Sequence, residues 1–164
     1  MNIHLPGRAA PATEISSELA RRLAEQAERD AREAVLRATN KEALFDGLSL
    51  VGIAHVRVSF DGSGDSGQIE SIDACNSTDQ SVTLPAAQIV FAGIDWQSNA
   101  QIERLLTLEQ AVEALIYDLL SDTHGGWENN DGAYGEFCVD ARARSIHLEF
   151  NERFTSPELF THDF

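Results

Sequence analysis

The sequence predicts an α+β fold: a four-stranded antiparallel sheet made of two β-hairpins, with one packed helix, preceded by a long N-terminal helix. Three observations carry this. From Ile15 to Ala38 apolar residues recur mostly every three or four positions, the period of one helix face. From Leu48 the pattern changes to alternation and to Val- and Ile-rich runs. The alternating segments then come in two pairs, and the strongest amphipathic helix of the chain falls between them.

In chain order, residues 1–11 hold Pro6, Gly7 and Pro11 and read as a short arm. Thr13 is the expected N-cap of the first helix, with Glu14 in its first turn. The stripe Ile15, Leu19, Leu23, Ala27, Ala31, Ala34, Val35 and Ala38 is narrow and thins to alanines, opposite a mosaic of Arg and Glu. Such a helix suits lying across the body or pairing with a second copy in a homodimer. NKEALFDG (40–47) reads as a further turn or two, with Asn40 as cap and Gly47 as stop. This divides the chain into an N-terminal arm and helical segment, 1–47, and an acidic α+β domain, 48–164.

SLVGIAHVRVSF (49–60) is the first strand and QIESIDACN (68–76) the second, joined by a glycine-rich tip. In 77–99 Val82 and Leu84 suggest a short strand, 86–92 a helical turn, and Ile94 and Trp96 a cover for one end of the core. A helical period returns from Ala100. Thr107 and Gln110 fit a capping box, and Leu108, Val112, Leu115, Ile116, Leu119 and Leu120 form a broad apolar face. Gly125 is its expected stop. EFCVD (136–140) and SIHLEF (145–150), joined by ARAR, form the second hairpin. The tail 151–164 carries Phe154, Leu159, Phe160 and Phe164, and its aromatic content predicts that it docks.

Charge restricts the function classes. The net charge is −15, and it is uneven: residues 1–46 are near neutral, whereas residues 47–164 hold five arginines against nineteen acids. Such a body repels phosphate backbones, which argues against direct nucleic-acid binding, and it attracts basic surfaces. Plain solubility is the simpler account of the same charge. No apolar run reaches the roughly 18 residues of a membrane span, and MNIHLPGRAAPATE lacks the apolar core of a secretory signal, so a cytoplasmic location without membrane contact is expected. Cys75 and Cys138 are the only cysteines and read as free core residues, with no CxxC spacing for zinc.

Chemistry, if any, is expected in two glycine-rich acidic loops, FDGSGDSGQIE (60–70) and HGGWENNDGAYGE (124–136), facing each other across the domain. The candidate protein-binding residues are Asp61, Asp65, Glu70, Trp127, Glu128, Asn130, Asp131, Tyr134 and Glu136. Exposed aromatic residues in a loop are frequent interface anchors, and equally often lids over a small core. GDSG (64–67) matches the tetrapeptide around a serine-protease nucleophile, but the histidine and aspartate context of that triad is missing. Asp61, Ser63 and Asp65 have the first spacings of an EF-hand loop, yet Ser66 and Ile72 replace its glycine and its bidentate glutamate. A non-standard divalent site shared by Asp61, Asp65, Glu70, Glu128, Asp131 and Glu136 is the alternative, as hard cations want several carboxylates. His124 belongs at a helix C-terminus and His147 beside Glu149 on a strand face, while His55 has no identifiable partner. No catalytic residue, metal ligand or cofactor is assigned.

The residues GDSGQIE (64–70), GGWENNDGAYGE (125–136) and IHLEFN (146–151) together resemble a pattern found in uncharacterised small bacterial proteins of plasmids and other mobile elements, with paired GDSG-x-IE and GGWExNDGxxGE motifs. The resemblance covers the domain body and transfers no activity. It implies a context in which small acidic proteins bind host defence or DNA-handling proteins, some by mimicking nucleic-acid charge.

The expected function is a non-enzymatic acidic interaction protein that binds a basic protein surface. Its sharper form is an inhibitor of nucleic-acid-binding defence machinery of anti-CRISPR or anti-restriction type. The alternatives are a divalent-metal-dependent hydrolase with its site between the two loops, and an assembly subunit dimerising through the N-terminal helix.

Overall fold

The computed structural model describes residues 12–95 and 97–163, with side chains from residue 16 onward. The predicted arm and the parts assigned to Trp96 and Phe164 lie outside the described residues, and Thr13, expected as the N-cap, falls within the helix described from Ala12. The chain divides into two compact units, one ending at Leu36 and one running from Arg37.

Helix α1 spans Ala12–Leu50. In the first unit Leu19 and Leu23 are more than half exposed. Arg21 pairs with Glu18 and Glu25, and Arg22 with Glu18. These pairs at three- and four-residue spacing each support the helix by roughly 0.2–0.5 kcal/mol, which compensates in part for a stripe weak in large apolar groups.

In the second unit α1 continues unbroken to Leu50, so Asn40 is not a cap and Gly47 is not a stop. Leu44, Phe45 and Leu48 are fully buried and belong to the main core. Burial of each side chain contributes roughly 1.5–3 kcal/mol, more than the roughly 1 kcal/mol that glycine costs inside a helix. Gly47 serves close packing instead: a Cβ there would lie 2.6 Å from Ile89 Cγ2 and 2.9 Å from Leu108 Cδ2. The chain leaves the helix at Gly52, whose N–H donates to the Ser49 carbonyl.

Seven strands and a second helix follow: β1 Ile53–Ser63, β2 Ser66–Asn76, β3 Ser81–Val82, β4 Gln88–Asp95, β5 Ala100–Thr107, α2 Leu108–Thr123, β6 Ala133–Asp140 and β7 Ser145–Glu152. The main sheet has five strands in the order β3-β2-β1-β6-β7, and β4 and β5 form a separate two-stranded sheet. The α+β class and the two hairpins stand; the four-stranded count does not. One reason is that Ser81–Val82 adds to β2 beside Ala74 and Cys75.

The other reason concerns 86–92 and 100–107, both read as helical: Gln88–Asp95 and Ala100–Thr107 are strands. Ile102, Leu105 and Leu106 fit helical spacing, but Gln88–Asp95 is rich in β-branched residues and pairs with Ala100–Thr107 without a register break. Long-range packing overrides the local period here. Asn40 supplies part of it: its Nδ2 donates to the Ala92 carbonyl and its Oδ1 accepts from the Ala92 N–H, both at 2.8 Å.

Val56, Val58 and Phe60 of β1 and Phe137 and Val139 of β6 face the core with Leu108, Val112, Leu115, Ile116 and Leu120 of α2. The α2 cap is as expected, with Thr107 accepting from the Gln110 N–H and Gln110 accepting from the Thr107 N–H. Its C-cap is His124 rather than Gly125. The opposite face of the sheet carries His55, Arg57, Ser59 and Asp61 on β1 across from Asp140, Cys138, Glu136 and Tyr134 on β6. Both cysteines are free and half-buried; they alternate with core residues and so are not core themselves. The expected docking of the tail is also corrected: Phe154, Leu159 and Phe160 are 82%, 87% and 69% exposed. Among the described residues no helix is long and apolar enough to cross a membrane.

Candidate binding site at the joined loops

The two glycine-rich loops are in direct contact, and the contact is made by the main chain. The Gly64 N–H donates to the Asn130 carbonyl at 3.0 Å and the Asp65 N–H donates to the Glu128 carbonyl at 3.1 Å. Asp65 and Asn130 both adopt positive φ, 67° and 57°, a conformation their short polar side chains tolerate. Gly132, at φ 76°, is confined further: a Cβ there would lie 1.9 Å from the Gly62 carbonyl oxygen. The second loop therefore crosses the first hairpin at backbone-to-backbone distance, which only glycine allows.

Trp127 closes the junction from the core side. Its ring meets Phe60 edge-on at 5.3 Å. It lies flat enough on the hairpin that a Cβ on Gly67 would come within 2.3 Å of it and one on Gly62 within 2.6 Å. The tryptophan is half-buried, so its aromatic surface is spent on packing the loops together. Phe150, which also stacks on Phe60, carries the His124 ring at 3.7 Å and nearly parallel.

Arg153 secures the other side. It donates to the Asp61 carboxylate at 2.5 Å and to the Gly62 carbonyl at 2.9 Å, and its guanidinium lies 4.7 Å from the centre of the Tyr134 ring. Hydrogen bonding to Asp61 raises its already high pKa, so it is a permanent cation. Asp131 accepts from the Thr155 N–H at 2.6 Å and from its hydroxyl at 2.7 Å, and those bonds hold its carboxyl below the ordinary range. Glu136 pairs with Arg57 at 3.1 Å, and Glu70 accepts from Gln68.

The nine candidate residues thus separate by role. Trp127 and Asn130 build the junction. Asp61, Tyr134, Asp131 and Glu136 are engaged by Arg153, Thr155 and Arg57, and Glu70 lies out on β2. Asp65 and Glu128 remain, and among the described residues neither carboxylate has a side-chain partner. They line an open cleft of about 420 Å³ together with Ser66, Gly67, Tyr117, Ser121, Gly126 and Trp127. The six carboxylates considered for a shared cation are dispersed among these contacts, and among the described residues no three His, Cys, Asp or Glu side chains are placed to hold a metal ion.

Sequence reasoning missed Tyr117, Ser121, Arg153 and Thr155. Tyr117, whose hydroxyl accepts from the Ile69 N–H at 3.2 Å, sits just outside the apolar stripe of α2. Arg153 could have been singled out as one of only five arginines in the acidic body.

Fold and site together define a small α+β domain in which two glycine-rich loops are locked into one acidic surface. The chain belongs to a family of unknown function (DUF6878), whose model matches residues 36–164. The match takes in both loops, the cleft and the tail, and begins near the end of the first compact unit. No curated protein matches the chain, and no solved structure matches it.

Proposed function

We propose that this protein is a non-enzymatic interaction module whose acidic body binds a basic protein surface, with Asp65 and Glu128 as the central contacts. The observation that supports it most is the state of those two carboxylates. They flank an open cleft on a main-chain-linked loop pair, and among the described residues no arginine pairs with either of them. A preorganised pair of carboxylates suits an arginine or lysine side chain of a partner. The surrounding net charge of the body speeds and orients the encounter. The resemblance to mobile-element proteins favours a sharper form, in which the partner is the nucleic-acid-binding surface of a restriction or CRISPR complex and the acidic body competes with phosphate.

The test is fluorescence anisotropy with a labelled arginine-rich peptide at increasing salt. Binding that weakens at least about tenfold between low and physiological salt is expected, together with a further loss in D65N/E128Q. Absent or salt-independent binding overturns the reading. Nuclease assays with restriction and CRISPR enzymes address the sharper form, which predicts less cleavage and less DNA binding in the presence of the protein.

A further inference from the structure

The main sheet ends at β7, and among the described residues no strand pairs with its outer edge. β7 pairs with β6 over eight residues, Ser145 to Glu152, without a bulge. Among the described residues no backbone hydrogen bond reaches it from any other segment. The strand, SIHLEFNE, has no proline and no lysine. Proteins that keep an edge strand monomeric blunt it with those residues, with bulges or with a covering segment. The opposite edge is treated differently, since β3 covers part of β2 and Tyr117 takes up the Ile69 N–H.

The side chains of β7 are also self-complementary. Ile146, Leu148 and Phe150 lie on the core side, and His147 and Glu149 are exposed on the other. Two copies of this strand, antiparallel about a two-fold axis at Leu148, keep core faces on one side of a continuous sheet. That register sets His147 opposite the second copy's Glu149, and the reverse, and sets Ile146 opposite the second copy's Phe150. An imidazole N–H facing a carboxylate and an aromatic ring facing a β-branched side chain are favourable cross-strand combinations. A register shifted by two residues would put Glu149 against Glu149 or His147 against His147.

We infer that β7 is a homodimerisation edge, joining two copies through antiparallel β7–β7 pairing centred on Leu148 into one ten-stranded sheet. The occupant is a second copy because a strand whose His and Glu side chains and apolar side chains match its own copy, at one register only, satisfies the isologous rule of a two-fold interface. The pairing uses the outer edge of residues 145–152 and does not depend on the proposed partner binding.

Sedimentation of the full chain at up to roughly 100 μM, with hydrogen exchange of residues 145–152, provides the test. The expected result is a dimer whose β7 amides gain protection as concentration rises. H147E sets two glutamates against each other at both ends and weakens the dimer about tenfold. H147E/E149R places an opposite-charge pair there and restores the dimer. Both positions are exposed, and unchanged thermal unfolding of each variant verifies that the fold is intact. A monomer throughout, a dimer indifferent to H147E, or a dimer lost only on removal of residues 1–36 overturns the inference. So does a β7 edge protected only by a different protein.

Discussion

Asn40 and Ala92 are joined by two hydrogen bonds of 2.8 Å, the side-chain amide of one matching the backbone N–H and carbonyl of the other. Asn40 is the only buried polar or charged residue among the described ones. Its amide reproduces the pairing of a neighbouring strand, and so completes β4 from a helix. Asn40→Ala leaves a buried donor and a buried acceptor without partners. A loss of about 2–4 kcal/mol is expected, read as a fall in Tm of roughly 5–12 °C. Asn40→Asp sets a buried carboxylate oxygen against the Ala92 carbonyl, and at neutral pH it is expected to cost at least as much as Asn40→Ala.

Trp127 gives a second prediction. Trp127→Ala removes a half-buried ring from Phe60 and from the glycine seat, and a cost of about 2 kcal/mol is expected, less than for a fully buried aromatic. Gly67→Ala acts on the same contact from the other side, because its methyl group would occupy the position of the ring. Tryptophan fluorescence should shift to the red in Gly67→Ala as Trp127 is displaced toward water. An unchanged spectrum would mean that the hairpin yields instead of the ring.

The two free carboxylates should be dispensable for folding. Asp65→Asn keeps a residue that tolerates positive φ, and Glu128→Gln keeps size. Each should leave stability within about 0.5 kcal/mol of wild type, while peptide binding falls about fivefold for the pair. Equal losses of stability and binding would show that these residues act by holding the loops.

Asp131 predicts a pH response at the root of the tail. Its carboxyl is held below its ordinary value by the Thr155 hydroxyl and N–H. The contact is therefore present in full above the ordinary carboxylate range and is lost as pH falls through the lowered value. The Thr155 amide proton should move upfield over that acidic interval in an NMR titration, with no change near neutral pH. Asp131→Asn should abolish the transition.

Divalent cations offer a further check. With Asp61 and Glu136 engaged by arginines, Ca²⁺, Mg²⁺ or Mn²⁺ should leave Tm unchanged in a thermal scan. A shift that grows with cation concentration, and that Asp65→Asn removes, would favour the metal-dependent alternative.

The parts of the fold that were legible in the sequence are those set by local chemistry. The α2 cap depends on two residues three apart, and both hairpins depend on alternation bounded by turn residues. The illegible parts depend on distant partners. Gly47 looks like a helix stop until Ile89 and Leu108 are seen against it. Residues 100–107 carry a helical spacing that only pairing with β4 overrules. For the site, the acidic loops and their aromatic residues could be found by composition. Which acids are already engaged could not, because Arg153 reaches Asp61 across 92 residues.

The two bonds that join the loops run between main-chain atoms at Gly64, Asp65, Glu128 and Asn130. What the loops display is thus separable from where they display it. Position 65, at φ 67°, admits aspartate, asparagine or glycine at little cost. Position 128 carries no such restriction and lends only its carbonyl to the frame. A substitution at 128 therefore changes the chemistry displayed at the cleft while the frame that holds the two loops together keeps its hydrogen bonds.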